Sequence, residues 1–96
     1  MDTDKRAGLV WLALCPIRVR RQRLCMSQVQ LAEQSDVARS TVNRLEHGVA
    51  NPQDATLSRI SDALSIPHHI LMNEYLTWYN DEPSEGDGDA YLERVT

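Results

Sequence analysis

Arg39, Ser40, Asn43 and Arg44 recur at the spacing that places them along one side of a short helix. Arginine and asparagine can pair two hydrogen bonds at once with the edge of guanine or adenine. Val42 and Leu45 alternate with them and point to the opposite, apolar side. Taken alone, such residues are an ordinary solvated helix face, so their meaning depends on what surrounds them. Other chemistries find less support. No Ser-His-Asp set, phosphate-cradling glycine loop or paired carboxylates occurs, so no catalysis is expected. His47, His68 and His69 do not make a metal set, because adjacent histidines diverge on a helix. No cofactor is expected either.

The elements that must hold these side chains can be read from helix signals. Pro16 is a natural first-turn residue for a helix beginning near Ile17. That helix carries Arg18, Arg20, Arg21 and Arg23 around Ile17 and Leu24, and Arg18, Arg20 and Arg23 read as solubilising. Ser27 is a good N-cap for a second helix from Gln28 to Gln34, although Gln30 stands where a carboxylate would complete a capping box. Ser35-Asp36 breaks that helix, and aspartate tolerates the left-handed backbone of a tight turn. A third helix follows from Arg39 to His47, with Gly48 positioned to end it. Asn51-Pro52 marks a loop. Leu57, Ile60, Ala63 and Leu64 define a fourth helix over Thr56 to Leu64, and Pro67 opens a fifth through Tyr79. The segment 1–15 is ambiguous between an arm and an extra helix, since Leu9–Leu14 is apolar on every side. The fold class is therefore all-α: five compact helices over 16–72, a helix extension over 73–80 and an acidic tail over 81–96 that reads as disordered.

The chain has 96 residues and a net charge of −4, which at first argues against a polyanionic partner. The distribution removes the objection. Residues 17–64 hold seven arginines against five acids, a balance of +2, while 73–96 hold seven acids against Arg94, a balance of −6. With no Phe and only Trp11, Tyr75, Trp78, Tyr79 and Tyr91 as aromatics, the core must be largely aliphatic. Cys15 and Cys25 make neither a disulfide framework nor a metal site and read as reduced packing thiols. Lys5-Arg6 before Gly8–Cys15 imitates a short signal sequence, but the apolar run is too short to span a bilayer, so a cytoplasmic location without membrane attachment is expected.

Within Gln28 to His47, Leu31, Ala32, Val37, Val42 and Leu45 supply the small and apolar contacts that two short crossed helices need. Here the chain resembles the lambda-repressor-like (Cro and phage-repressor) helix-turn-helix regulators of bacteria and phages. The resemblance covers Ile17 to Met72. It rests on Ser27-Gln28 with Leu31-Ala32, Ser40-Thr41-Val42-Asn43-Arg44-Leu45-Glu46-His47-Gly48, Asn51-Pro52, and Thr56-Leu57 through Ala63-Leu64-Ser65-Ile66. It implies that Gln28 bonds a phosphate from the start of its helix. Arg39, Ser40 and Arg44 would read bases, with Thr41 and Asn43 near base or backbone. Arg21 and Glu46 match a pair that bridges the first and third helices. The chain departs from the family at four places. Ser35 replaces an apolar residue, Asp36 a glycine and Ala38 a capping hydroxyl, while Val49-Ala50 stands where basic residues reach phosphate. A strained turn and a weaker phosphate grip are expected from these.

The resemblance implies a dimeric repressor on an inverted-repeat operator of double-stranded DNA. Leu9–Leu14 and Ile70–Tyr79 are the expected dimer surfaces, because one small core does not easily cover Trp11 and Trp78 as well. One alternative is an antitoxin-like autoregulator whose acidic tail binds a partner protein. Another is a protein-interaction module that has lost DNA binding.

Overall fold

Prolines, one serine cap and four left-handed residues decide where the helices begin and end. The computed structural model describes residues 2–81, with side chains from residue 8 onward. In order, the helices are α1 (Asp2–Ala13), α2 (Pro16–Arg23), α3 (Gln28–Ser35), α4 (Arg39–Glu46), α5 (Asp54–Ala63) and α6 (His68–Asn80), with no strand among the described residues. The all-α expectation therefore holds, and the segment left between arm and helix is the helix α1. Of the acidic tail only Asp81 is among the described residues.

Four helices stop by one device. Cys25, Asp36, Gly48 and Ser65 have φ of 57°, 56°, 69° and 59°. In each case the amide of the next residue reaches back five positions: Met26 to the Arg21 carbonyl, Val37 to Ala32, Val49 to Arg44 and Ile66 to Ser61. These bonds satisfy the carbonyls that a helix end leaves open. Three of the four left-handed residues carry a Cβ, which costs each about 1 kcal/mol or more.

The core is built from Ile17 of α2, Leu31 and Ala32 of α3, Val42 and Leu45 of α4, Leu57 and Ile60 of α5, and Leu71 of α6. Tyr75 is fully buried, and its hydroxyl donates to the Leu45 carbonyl at 2.7 Å, tying α6 to α4. The placing of Trp78 in a dimer surface needs correction. α6 runs unbroken past residue 72, and Trp11 and Trp78 cover each other. Their rings stack with centroids 4.1 Å apart and 6° between planes. Each indole N–H donates to the other residue's backbone carbonyl, at 2.7 Å from Trp11 and 2.6 Å from Trp78. Because the polar edges are satisfied within the pair, both rings enter the monomer core without leaving an orphan donor. Leu9, Val10 and Leu14 stay outside, at 66%, 56% and 61% exposure.

The two thiols are free and differ sharply, Cys15 being buried and Cys25 exposed. The packing role expected of both fits Cys15 alone. Burial pushes the Cys15 thiol up to about 11, against a smaller opposing pull from the Arg18 and Ile17 amides at the start of α2. Between its ordinary value of 9.0 and about 11, the thiol stays protonated in the folded chain but ionises in the unfolded one. The native state then binds more protons, and stability falls as pH rises through that window. Urea midpoints should drop from pH 8 to pH 10.5 by more in the wild type than in Cys15→Ala, and equal slopes would refute this reading.

Candidate nucleic-acid interface

The scaffold of the site is the pair α3–α4 and the turn between them. Ser27 caps α3: its hydroxyl accepts from the Gln30 amide at 3.0 Å, and the Gln30 side-chain oxygen accepts from the Ser27 amide at 2.8 Å. The neutral amide thus completes the capping box that seemed to lack its carboxylate. Ser35 is buried, and its hydroxyl donates to the Leu31 carbonyl at 2.6 Å. A polar residue is accommodated in an apolar position because the helix itself satisfies it. Asp36 adopts the left-handed turn expected of it, with φ 56° and ψ 41°. Arg59 of α5 donates to its carbonyl at 3.3 Å.

α4 is sharply two-sided. Val42, Leu45 and Glu46 are buried, whereas Arg39, Ser40, Asn43 and Arg44 are exposed and Thr41 is half-buried. Ala38 supplies no side-chain cap, so the first amides of α4 have no side-chain acceptor from that position. Apart from the buried Glu46, α4 carries no acid, so its outward side presents two guanidinium groups without a carboxylate of its own. A hollow of about 410 Å³ beside this face is lined by Thr41, Arg44, Asn51, Gln53 and Thr56. Asn51 is held there by the Tyr79 hydroxyl at 3.1 Å. In the sequence Asn51 is only a loop marker, since nothing local shows that α6 reaches it.

Glu46 is the hub behind that face. Its carboxylate accepts from Arg21 Nε at 2.8 Å and Arg21 Nη2 at 3.0 Å, a two-bond fork. Arg21 also donates from Nη1 to the Met26 carbonyl at 2.8 Å. Arg18 Nε lies 3.6 Å from Glu46 Oε1, too far for a hydrogen bond but close enough to share the charge. Gln28 Nε2 donates to Glu46 Oε1 at 3.2 Å and to Asn43 Oδ1 at 3.3 Å. Gln28, Asn43, Arg21 and Glu46 are thereby brought together, while Arg39, Ser40 and Arg44 project from the rest of α4.

Arg20, read above as solubilising, instead forks onto Glu74 of α6 with bonds of 2.9 and 2.8 Å. These bonds, more than the charges of Arg20 and Arg23, hold the Glu74 carboxyl below the usual range. The pair joins α2 to α6 away from α4. Among the described residues no three His, Cys, Asp or Glu side chains gather at metal-binding distance. His47 uses Nδ1 on the Asn43 carbonyl at 2.8 Å. No helix among the described residues is long and apolar enough to cross a membrane.

A family model described as helix-turn-helix matches residues 17–71, more than half of the chain. No curated protein and no solved structure gives a significant match. The matched segment begins at the buried Ile17 of α2 and ends at the buried Leu71 of α6, so it takes in α3, α4 and α5 with most of α2 and the start of α6. The chain belongs to the lambda-repressor-like helix-turn-helix family, whose members are DNA-binding regulators of transcription.

Proposed function

We propose that this protein is a dimeric repressor that recognises an inverted-repeat operator through α4, working in the cytoplasm. The observation that carries the reading is the outward face of α4. Arg39, Ser40, Asn43 and Arg44 are exposed on a helix whose other side is anchored by Val42 and Leu45. Such a helix fits a major groove about 12 Å wide, with its N-terminal half leading. Two copies related by a two-fold axis would place their α4 helices in successive grooves, about 34 Å apart. The exposed Leu9, Val10 and Leu14 support α1 as the surface where copies meet, now that Trp78 is accounted for within the monomer.

Roles divide by side chain. Arg39 and Arg44 offer bidentate donors to guanine edges, Ser40 and Thr41 shorter polar contacts, and Gln28 and Asn43 form the edge of the site nearest α3. Replacing Arg39 and Arg44 together by alanine should leave the helical circular-dichroism spectrum unchanged, because both side chains are exposed. Specific affinity should fall by about thirtyfold or more, at roughly 1–3 kcal/mol for each base-reading arginine. Retention of wild-type affinity by this double variant would overturn the assignment of α4. Sedimentation of the DNA complex as a single protein chain would overturn the dimer.

A further inference from the structure

The network behind α4 settles which way two amides face, and the inference drawn from it rests on α4 being the helix that meets DNA. A carboxylate paired with a guanidinium only accepts hydrogen bonds. Glu46 is such a group, completely buried and forked by Arg21. The Gln28 amide beside it must therefore turn its nitrogen inward, and its two protons go to Glu46 Oε1 at 3.2 Å and Asn43 Oδ1 at 3.3 Å. With the nitrogen so committed, the Gln28 oxygen is turned the opposite way. Asn43 in turn has its oxygen facing Gln28, which leaves its own NH2 group on the outward side.

We propose that Glu46 is a positioning residue for base reading: through Gln28 it holds the Asn43 amide so that it presents a donor to the major groove. A freely rotating asparagine matches adenine, donating to N7 while accepting from N6. An asparagine whose oxygen is already engaged and whose NH2 faces out best matches an edge with two adjacent acceptors, which in the major groove is guanine with O6 and N7, whereas thymine offers only O4 beside its methyl group. The same order gives Gln28 an outward oxygen. That atom repels a phosphate and accepts from a base amino group or an ordered water.

Two variants and one spectrum test this. In nuclear magnetic resonance of the free protein, the Gln28 side-chain amide protons should exchange more slowly than those of the exposed Gln22 and Gln34. They should also show Overhauser contacts to Asn43. Equal exchange rates would mean that the relay does not form, and would overturn the proposal whatever the protein does on DNA. Selection from random duplexes then tests the consequence. Wild type should enrich guanine at one position of each half-site. Asn43→Asp keeps the inward oxygen and replaces the outward donor by an acceptor, so preference at that position should move to cytosine, whose N4 group donates. Gln28→Met keeps the shape and frees Asn43, and should relax discrimination at that position alone by about tenfold. A uniform loss of affinity in Gln28→Met, with every base preference intact, would identify a phosphate contact and overturn the proposal. If the slow amides are present but wild type enriches no sequence, α4 does not read DNA, and the proposal falls with that reading for a separately visible cause.

Discussion

Arg21→Met should lower stability by about 3–5 kcal/mol, out of a total of roughly 5–14 for a chain of this length. The reason is what it leaves behind. Glu46 is fully buried and gives up both arms of its fork at 2.8 and 3.0 Å. The Met26 carbonyl also loses its donor at 2.8 Å. Arg18 Nε at 3.6 Å shares the charge but makes no hydrogen bond, and Gln28 is neutral, so an under-compensated charge remains inside. At roughly 4–8 °C per kcal/mol for a small domain, the thermal midpoint should fall by more than about 12 °C. Arg21→Met combined with Glu46→Leu should recover most of the loss, since removing both charges removes the penalty. A single-variant loss of under about 1 kcal/mol would show that water screens the pair in solution.

Gly48→Ala is the other large effect, and it has two separable parts. Gly48 sits at φ 69°, where a Cβ costs about 1–2 kcal/mol on its own. A Cβ there would also run into Trp11 Cη2 and lie 3.2 and 3.3 Å from two further ring carbons. That ring has little freedom to retreat, being stacked on Trp78 and hydrogen-bonded to its backbone at 2.7 Å. Overpacking adds about 1–3 kcal/mol, for a total near 2–5. A double-mutant cycle separates the parts: with Trp11→Leu in place, Gly48→Ala should cost only the backbone share. Equal costs in both backgrounds, measured by urea denaturation, would show that α1 does not pack over the end of α4.

How far the molecule can be read from its residues depends on whether the cause is local. Asp36 and Gly48 announce their left-handed turns because their side chains favour or permit it. Cys25 and Ser65 take the same conformation with no such signal, drawn into it by the backbone bonds of Met26 to Arg21 and Ile66 to Ser61. The two-sidedness of α4 is written in Val42 and Leu45. Its amide orientation is not, because it passes from Arg21 through Glu46 to Gln28 across three helices. The Gln30 capping box is local too, but the expectation of a carboxylate hid it. The widest gap was the indole pair. Trp11 and Trp78 stand 67 residues apart, and each supplies the acceptor for the other's N–H. Seen singly, each looks like a ring that needs covering by a second copy; seen together they form a closed unit. α1 has no readable period because, among its described side chains, Trp11 and Leu12 face the core with Cys15 just beyond, while Leu9, Val10 and the following Leu14 remain open.

The most direct test of α4 as a reader of DNA is fluorescence-anisotropy titration of the full chain. The duplex should be one enriched from a random pool, with a scrambled duplex beside it, and the titration repeated across a salt series. Tight binding to the enriched site is predicted, with log affinity falling steeply as log salt rises, by about 0.9 per phosphate contact. Binding to the scrambled duplex should be at least about a thousandfold weaker. Equal binding to both duplexes, or none to either, would contradict the account.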